Sequence, residues 1–522
     1  MTGEPSDRTD RSDRSDRSDR SGGSVWAWFS KGGDVKLVIT GGLFGAFFGT
    51  LGLGSLLGSD YGYGGVSLEA FGLISILGLM VSGAGLVVAL IRPRLGLPSI
   101  AVGALVGLGV FVLFAGAGLG PSWKAPLDRP TDVRAVGSWT SGDLVIRARP
   151  DQVVAYRSAT GEVAWRWTPP GEDSVCAMSR ETGHGIGLIG HAGLDQPCAA
   201  VVALDLSSGT ARWTAQLDAP ARSGDSAAAG VLAIAGDSAV LQENTDWRAL
   251  NLANGSAAWR SAPAPGCTPL RVAGGAGGGG AGGAGGANSV VTVADCGSAA
   301  PVLRSLAAQD GREQTQVALP TANGLNDLAV LSTAPLTLWV DENGERGTHA
   351  VLSYDQAGHL RSSIPVSGDE YDLDILLGGS TDSFASFTAR PLYSALVVGD
   401  LLIVPAEKPN DVTFSRSKNG INRNATGRLV AYSLADGSKQ WTAGLDDQTI
   451  GLAVDPAGTG IWALTQNTLS RIDVAMGHRS TSLGINGGVS YLPVDLSVSA
   501  GNRFTIVSED GTSNEPPVVG LH

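Results

Sequence analysis

The sequence has little charge, few basic residues and few cysteines. Charged residues make up 16% of its 522 residues, and 36 basic side chains stand against 49 acidic ones, for a formal net charge of −13. Phosphate backbones bind to basic surfaces, so this balance argues against a nucleic-acid partner. The four cysteines are too few for a scaffold built on disulfides. A chain with so little charge is also too apolar to be disordered as a whole.

Apolar side chains are nearly missing from the start of the chain. Ser-Asp-Arg triplets, one of them with Thr in place of Ser, recur from Ser6 to Arg20. Such a segment has nothing to bury and is expected to stay disordered. We predict a disordered cytoplasmic leader over residues 1–36, which serves as a solvating tail or as a contact for a cytoplasmic protein.

Charge is then absent from three long apolar runs, residues 37–58, 71–91 and 97–119. A helix of about 20 residues crosses the hydrocarbon core of a bilayer, so each run predicts a transmembrane α-helix. The link after the second run carries Arg92 and Arg94, whereas the link before it carries no basic residue. The positive-inside rule therefore places the N-terminus in the cytoplasm and everything after the third helix outside. Because no ionisable side chain interrupts the runs, an ion pathway is disfavoured.

The cysteines and the whole net charge lie beyond these runs. Residues 1–121 contain nine basic and nine acidic side chains, so the remainder carries the full −13. An oxidising exterior permits disulfides, and three pairings of four cysteines are open. Proximity in sequence favours the pairs Cys176–Cys198 and Cys267–Cys296. A metal site is the alternative at the first pair, which encloses His184 and His191, although their spacing matches no common zinc pattern.

A repeat dominates the rest of the chain. Four segments align without gaps on the pattern Ala-x5-Gly-x3-Trp. Their turn glycines are Gly161, Gly209, Gly255 and Gly437, and their tryptophans are Trp165, Trp213, Trp259 and Trp441. Three weaker copies have Gly311, Gly358 and Gly477, with Thr315, Ser362 and Thr481 at the tryptophan position. Consecutive glycines are 40–56 residues apart, with one interval of 79, and four-stranded propeller blades repeat at about this period.

Each repeat is typical of two strands joined by a turn. Glycine suits the turn because it adopts positive φ without steric cost, and the tryptophan would bury about 150–250 Å² against the neighbouring blade. Such blades stack radially and close into a ring. We predict an all-β propeller of seven four-stranded blades over residues 133–522, after a linker at 121–132. Eight blades are the alternative, in which residues 131–139 or 504–522 complete a further blade.

Two segments interrupt the repeats. Gly274–Gly286 is almost pure Gly and Ala, which predicts a mobile loop without anchoring side chains. Glu407–Arg428 is the most basic stretch of an acidic region, and it is either a contact loop or a solvated insertion.

In its fullest form the repeat reads Ala-Leu-Asp-x-x-x-Gly-x-x-x-Trp, which resembles the PQQ-repeat, or quinoprotein-like, β-propeller family. With its three-helix anchor, the chain looks like the membrane-anchored actinobacterial type. The family includes quinone-dependent dehydrogenases, non-catalytic propellers that scaffold outer-membrane assembly, and sensor domains of membrane receptors. The resemblance therefore implies a fold but no single activity.

A quinone-dependent alcohol dehydrogenase of this family would need two adjacent cysteines and a calcium site. The sequence has no adjacent cysteines, and its densest acidic cluster, Asp369, Glu370, Asp372 and Asp374, lacks the glycine and terminal glutamate of a calcium loop. No serine-hydrolase elbow or phosphate-binding loop is present. We assign no catalytic, cofactor-binding or metal-ligating residue and expect neither PQQ nor Ca²⁺.

These observations favour a non-catalytic binding or scaffold module at the cell envelope. The expected partners are the lipid bilayer and an envelope protein, peptide or glycan. A PQQ- or quinone-dependent oxidoreductase is the alternative. An exterior sensor coupled through its helices to a partner is the second alternative.

Overall fold

A computed structural model describes residues 118–129, 134–194, 196–218, 230–275, 288–375, 394–409, 413–417, 420–424, 427–486, 489, 494–499, 501–508 and 516–522. They belong to the second of two compact units of the chain. The predicted leader and the first two predicted membrane helices lie outside the described residues, as does the third up to residue 117. Among the described residues there is no helix long and apolar enough to span a membrane.

The regular structure of the described residues is a ring of eight antiparallel β-sheets, the blades. The first strand of the chain, β1 (Pro121–Lys124), belongs to the last blade. Blade 1 contains β2 (Gly137–Ser141), β3 (Leu144–Ala148), β4 (Val153–Arg157) and β5 (Val163–Trp167). Blade 2 contains β6 (Asp173–Met178), β7 (Ile186–Gly193), β8 (Ala200–Asp205) and β9 (Ala211–Gln216). Blade 3 contains β10 (Leu232–Ala235), β11 (Ser238–Gln242), β12 (Trp247–Asn251) and β13 (Ala257–Ser261).

The next three blades include the two long insertions. Blade 4 contains β14 (Thr268–Gly274), β15 (Ser289–Cys296), β16 (Ala299–Ala307) and β17 (Glu313–Ala318). Blade 5 contains β18 (Leu325–Thr333), β19 (Leu336–Glu342), β20 (His349–Tyr354) and β21 (Leu360–Pro365). Blade 6 has five strands, β22 (Asp372–Leu373), β23 (Leu396–Val398), β24 (Leu401–Glu407), β27 (Arg428–Ser433) and β28 (Lys439–Gly444). Between β24 and β27 the chain forms a separate hairpin, β25 (Thr413–Ser417) and β26 (Gly420–Asn424).

The last two blades complete the ring. Blade 7 contains β29 (Gly451–Val454), β30 (Gly460–Leu464), β31 (Thr468–Asp473) and β32 (Arg479–Gly484). Blade 8 contains β33 (Val494–Ser499), β34 (Arg503–Ser508) and β35 (Val518–Leu521), and β1 pairs with β35 as its fourth strand. The preferred count of seven blades was therefore one short, and the alternative of eight is the observed number.

The eighth blade lacks the repeat because the two ends of the ring meet in it. Its third strand ends at Leu521 and its fourth begins at Pro121, so no turn with a glycine joins them. The amides of Gly120 and His522 donate to each other's carbonyl oxygens instead. The predicted linker 121–132 thus begins with a strand of the propeller. Leu119, the last residue of the third predicted helix, forms a parallel bridge with Ile485 of the propeller.

Within each blade we name the strands A to D from the ring axis outwards. First strands of neighbouring blades approach one another, as β10 does with β14 and β14 with β18. Fourth strands such as β9 and β13 are largely exposed, whereas β10 and β11 are buried along their whole length. Inner strands such as β10 are continuous apolar runs because both of their faces are covered.

The core of the described residues consists of eight apolar clusters, one at each junction between blades. Between blades 1 and 2, for example, Trp139 and Ile146 pack with Ile189 and Leu204. Stability is therefore distributed over junctions rather than held in one central core.

The up-and-down order of the strands gives the ring two distinct faces. The A–B and C–D connections, such as 179–185 and 206–210 of blade 2, emerge on one face, which we call the turn face. The B–C and D–A connections, such as 343–348 and 319–324, emerge on the opposite face, which we call the loop face. The β25–β26 hairpin is part of a B–C connection and belongs to the loop face.

Candidate functional site

On the turn face, the repeat tryptophans join each blade to the next. Trp165 pairs with Ala155 across its own blade, and its Nε1–H donates to the Leu206 carbonyl oxygen of blade 2 at 2.9 Å. The indole lies on the turn at Gly209, whose φ is +71°. A Cβ at Gly209 would lie 2.4 Å from the ring of Trp165. Glycine is therefore required here both for its backbone conformation and for the close approach of the ring.

The other repeat tryptophans use the same contact. Trp213, Trp259 and Trp441 donate to the carbonyl oxygens of Leu252, Ala308 and Val474 at 2.8, 2.8 and 2.9 Å. They lie on the turn glycines Gly255, Gly311 and Gly477. Gly437, the fourth glycine of the strong repeats, has a φ of +76° in the corresponding turn of blade 6.

A fifth tryptophan, which sequence analysis missed, closes the ring in the same way. Trp123 of β1 donates to the Ser158 carbonyl oxygen at 2.9 Å and covers Gly161. The sequence does contain a signal for this contact. Trp123 precedes its acceptor Ser158 by 35 residues, a spacing similar to the 41 residues between Trp165 and its acceptor Leu206.

At the weaker repeats a small hydroxyl replaces the indole. Thr315 donates to the Gln356 carbonyl oxygen at 2.8 Å, and Ser362 donates to that of Leu434 at 3.0 Å. Thr481 is exposed. The next blade, blade 8, has no C–D turn for it to contact, because its strands β35 and β1 are not consecutive in the chain. Blade 5 is thus joined to both neighbours by hydroxyl contacts rather than by tryptophan.

On the loop face, buried charges at the ends of B strands hold the connections in place. Glu243, only 1% exposed, follows β11 and binds Arg248 at 2.9 Å and Arg260 at 3.0 Å. It also accepts the Asp218 amide at 3.1 Å, at the start of the connection from blade 2. Asp218 and Asp246 contact Arg260 as well. One carboxylate therefore orients both connections of this blade at the loop face, the D–A connection from blade 2 and the B–C connection of blade 3.

Glu342, the last residue of β19, has the same role in blade 5. Its carboxylate accepts the amides of Ala322, Asn323 and Thr348 at 2.7, 2.5 and 2.6 Å. Burial would raise the pKa of Glu342, but these amides outweigh it and lower the pKa to about 2. The side chain is thus ionised at neutral pH and ties the D–A connection to the B–C connection.

A third example lies where blade 8 meets blade 1. Asp128 accepts two hydrogen bonds of 2.9 Å from Arg147 and forms an ion pair with Arg149 at 2.8 Å. Arg147 also donates to the Ser508 carbonyl oxygen in blade 8 at 3.1 Å. Burial acts to raise the pKa of Asp128, and the two arginines together lower it.

Blades 2 and 6 repeat the principle with other residue types. His191 in β7 contacts Asp173 at 2.7 Å, and Glu407 in β24 accepts a hydrogen bond from Gln448 at 2.6 Å. Five blades thus fix their loops through a polar side chain near the end of strand B. Sequence reasoning missed these clamps because their residue types and spacings differ from blade to blade, so they form no repeating pattern.

The disulfides also lie at the loop face. Cys176–Cys198 joins β6 to the B–C connection of blade 2, and Cys267–Cys296 joins the start of blade 4 to the end of β15. These are the two pairs expected from sequence. The alternative of a metal site at the first pair is not supported, because His184 pairs with Asp237 on the turn face, away from His191.

The acidic cluster at 369–374 does not form a site in the structure. Glu370 pairs with Lys439, and Asp372 lies in β22 at the edge of blade 6. In the described ranges, no three His, Cys, Asp or Glu side chains converge as metal ligands. All four cysteines form disulfides between non-adjacent residues.

The PQQ-type repeat is confirmed for the first part of the ring. Residues 120–266, from β1 to the end of blade 3, match the PQQ-repeat family described as outer membrane protein assembly factor BamB. No curated protein matches the chain significantly. The membrane-anchored actinobacterial type stays a prediction.

Three solved structures align with about three quarters of this chain. BamB from Moraxella catarrhalis is 17% identical, with a TM-score of 0.41 over 77% of this chain and 97% of that one. A quinohemoprotein alcohol dehydrogenase, ADHIIG from Pseudomonas putida HK5, is 12% identical, with a TM-score of 0.43 over 77% and 75%. The C-terminal WD40 domain of Sif2 is 10% identical, with a TM-score of 0.45 over 77% and 97%.

Proposed function

We propose that the protein is a membrane-anchored, extracytoplasmic scaffold whose loop face binds another protein without catalysis. The observation that carries this proposal is the set of buried clamps on the loop face. Connections that are already ordered lose little conformational entropy when a partner binds, so more of the interaction energy appears as affinity. The turn face, in contrast, uses its repeat tryptophans for contacts within the ring, namely Trp165, Trp213, Trp259 and Trp441.

The family match supports a protein partner. The matched model, over residues 120–266, is named for an outer membrane protein assembly factor, and an assembly factor acts on other proteins. The basic stretch Glu407–Arg428, which includes the β25–β26 hairpin of the loop face, is a second reason to place the contact there.

The proposed location rests on the three apolar runs and on the disulfides. Structural disulfides persist in oxidising compartments, which agrees with an extracytoplasmic ring. Protease added to intact spheroplasts is expected to cleave the ring and spare the leader. Cleavage of the leader alone would reverse the proposed topology.

Photo-crosslinking in living cells tests the binding face. A photoreactive amino acid at Gln196 or Glu345, both exposed on the loop face, is expected to give a discrete adduct with one envelope protein. The matched control positions are Thr210 and Asn254, exposed on the turn face. Adducts from the turn face alone, or from neither face, would contradict the proposal.

A quinone titration tests the alternative of an oxidoreductase. The purified full-length protein would be mixed with PQQ and Ca²⁺, and cofactor absorbance and dye reduction with an alcohol would be followed. Tight binding with turnover would overturn the scaffold proposal. A specific crosslink from the leader to a cytoplasmic protein would instead favour the sensor.

A further inference from the structure

The B–C connection of blade 6 differs in charge from the rest of the ring. It runs from residue 408 to residue 427, between β24 and β27. It contains four basic side chains and one acidic one, for a net charge of +3 on a chain whose net charge is −13. The basic residues are Lys408, Arg416, Lys418 and Arg423, and the acidic one is Asp411. A positive segment on an acidic protein favours a negatively charged partner.

Both ends of this connection are fixed to the ring. Glu407, the last residue of β24, accepts a hydrogen bond from Gln448 at 2.6 Å. At the other end, the Leu445 amide donates to the Gly427 carbonyl oxygen at 2.9 Å. A Cβ on Gly427 would lie 1.8 Å from the Asp447 carbonyl oxygen, so the chain is closely held here. A contact element that starts and ends on rigid strands is held in position for binding.

Between these ends, β25 and β26 form a sheet of their own. Their register runs from Thr413 opposite Asn424 to Ser417 opposite Gly420, without a bulge. Among the described strands these two pair only with each other, and no strand of a blade lies closely along either of them. A two-stranded hairpin is marginally stable in water unless it packs against another surface. The arrangement therefore favours a contact that the blades do not supply.

The register divides the residues of the hairpin between two different faces. Successive residues of a strand alternate between the faces, and residues paired across the strands share one. Phe414 is paired with Arg423, and Arg416 with Ile421, so these four residues belong to one face, which we call the arginine face. The other face has uncharged polar residues and one glycine, namely Thr413, Ser415, Ser417, Gly420, Asn422 and Asn424. An insertion that serves only to be solvated has no need of this separation.

The arginine face suits carboxylates that recur along an extended chain. Arg416 and Arg423 are diagonal neighbours across the two strands, and such positions lie about 7–8 Å apart. Side chains on one face of an extended segment repeat about every 7 Å, because each residue rises about 3.3 Å. Guanidinium groups bind carboxylates through paired hydrogen bonds, and arginine and aromatic residues are enriched in protein interfaces. A segment with carboxylates at alternate positions therefore matches the arginine face in spacing and in charge.

The rest of the loop face argues against an extended anionic ligand such as a membrane of acidic lipids. Exposed carboxylates lie on other connections of this face, at Glu172, Glu345 and Asp369. Together with the net charge of −13, they would repel a continuous negative surface brought against the ring. A short acidic segment can reach the hairpin without meeting them. A protein ligand is therefore favoured over a lipid one.

We propose that the arginine face of the β25–β26 hairpin binds an acidic segment of the partner, in which carboxylates occupy alternate positions of an extended chain. This inference rests on the proposed function, which gives the loop face a protein partner. Arg416 and Arg423 bind the carboxylates, and Phe414 and Ile421 add apolar contact area beside them. The hairpin then gains a packing surface that the blades do not provide.

Binding of a defined peptide to the purified full-length protein tests this inference. The probe is a short fluorescent peptide of alternating Glu and Ser, and the reference peptide has Gln in place of Glu. We expect the acidic peptide to bind and the reference peptide not to bind. The affinity is expected to fall as salt is added, because exposed charges are screened. The double variant Arg416→Gln/Arg423→Gln is expected to bind the acidic peptide about tenfold more weakly, because two charge-assisted contacts are lost.

Two further double variants serve as controls. Arg166→Gln/Arg312→Gln removes the same charge from exposed positions on β5 and on the turn face, and it is expected to bind as the wild type does. Arg416→Lys/Arg423→Lys keeps the charge and is expected to lie between the wild type and the glutamine variant. All three are expected to match the wild type in unfolding free energy.

Three outcomes would overturn the inference. The first is an unchanged affinity in Arg416→Gln/Arg423→Gln, and the second is an equal loss in Arg166→Gln/Arg312→Gln. The third is binding to phosphatidylglycerol vesicles that depends on the hairpin while the peptide does not bind, because the ligand would then be a lipid.

Photo-crosslinking in cells separates this inference from the proposed function. A photoreactive phenylalanine analogue at Phe414, on the arginine face, is expected to give the same adduct as position Gln196, whereas one at Ser415, on the other face, is not. If Gln196 gives an adduct that Phe414 fails to give, and Arg416→Gln/Arg423→Gln leaves it unchanged, the hairpin inference is overturned and the proposed function stands. A loop face without any adduct contradicts the proposed function itself.

Discussion

On the turn face one contact recurs around the ring, whereas on the loop face each blade uses a different one. Five junctions of the turn face place a tryptophan on a turn glycine of the next blade. The loop face uses a glutamate with two arginines in blade 3, a glutamate with three amides in blade 5 and an aspartate with two arginines at blade 1. A shared contact builds the ring, and individual contacts leave each loop free to acquire its own shape.

The largest expected loss of stability comes from removing a tryptophan contact of the turn face. Trp165→Ala removes an indole that is 8% exposed and leaves a cavity between blades 1 and 2. We expect the free energy of unfolding to fall by about 3–5 kcal/mol, measured by denaturant titration. Thr481→Ala is the matched control, because this repeat position has no turn to contact, and it should change stability by less than about 0.5 kcal/mol. Equal effects of the two variants would refute the packing role.

The next largest loss of stability is expected from neutralising a buried carboxylate of the loop face. Glu342→Gln replaces a carboxylate whose folded pKa of about 2 lies below the unfolded value. Such a group stabilises the fold above its unfolded pKa, and this stabilisation is lost as the pH falls towards 2. We expect the variant to lose about 3 kcal/mol at pH 7 and little at pH 2, measured as unfolding free energy against pH. Glu345→Gln, exposed in the same connection, should match the wild type, and a pH-independent loss at Glu342 would contradict the linkage.

A smaller effect sharpens the contrast between strong and weak junctions. Thr315→Val keeps the shape of the side chain but removes the hydroxyl that donates to Gln356. We expect a loss of about 1 kcal/mol, well below that of Trp165→Ala. A loss as large as that of the tryptophan would show that blade 5 is held as firmly as its neighbours.

The smallest effect concerns the Gly- and Ala-rich segment. Deletion of residues 276–287 is expected to change the unfolding free energy by less than about 1 kcal/mol, since loop closure depends only weakly on length. Gly274→Ala is the contrasting variant, because its Cβ would collide with the Ile234 carbonyl in β10. A deletion as harmful as Gly274→Ala would show that the segment itself supports the ring.

The contrast between the faces also explains what the sequence could and could not predict. The glycine and tryptophan of each repeat are four residues apart, so their pattern is visible in the sequence, and it gave the propeller and its blade type. The eighth blade was less visible because its strands β1 and β35 are separated in sequence by the rest of the propeller. Both disulfides were predicted because their cysteines are close in sequence, 22 and 29 residues apart.

The clamps and the contact between Arg180 and Val330 had no such signal. Asp218 and Glu243 meet only because blades 2 and 3 are neighbours, and Arg180 meets Val330 across 150 residues. A charged residue in a loop normally indicates a solvated surface. Only the three-dimensional arrangement shows that Glu342 and Glu243 are buried and partnered.

The pairing of β1 with β35 has a consequence for biosynthesis. Residues 121–124 are made nearly four hundred residues before the strand that receives them, Val518–Leu521. Seven blades can assemble in order as the chain emerges, but the first strand has to wait for the last. The ring therefore closes only after Val518–Leu521 has been made, and a ribosome that stalls in blade 8 leaves Trp123 without its partner strand.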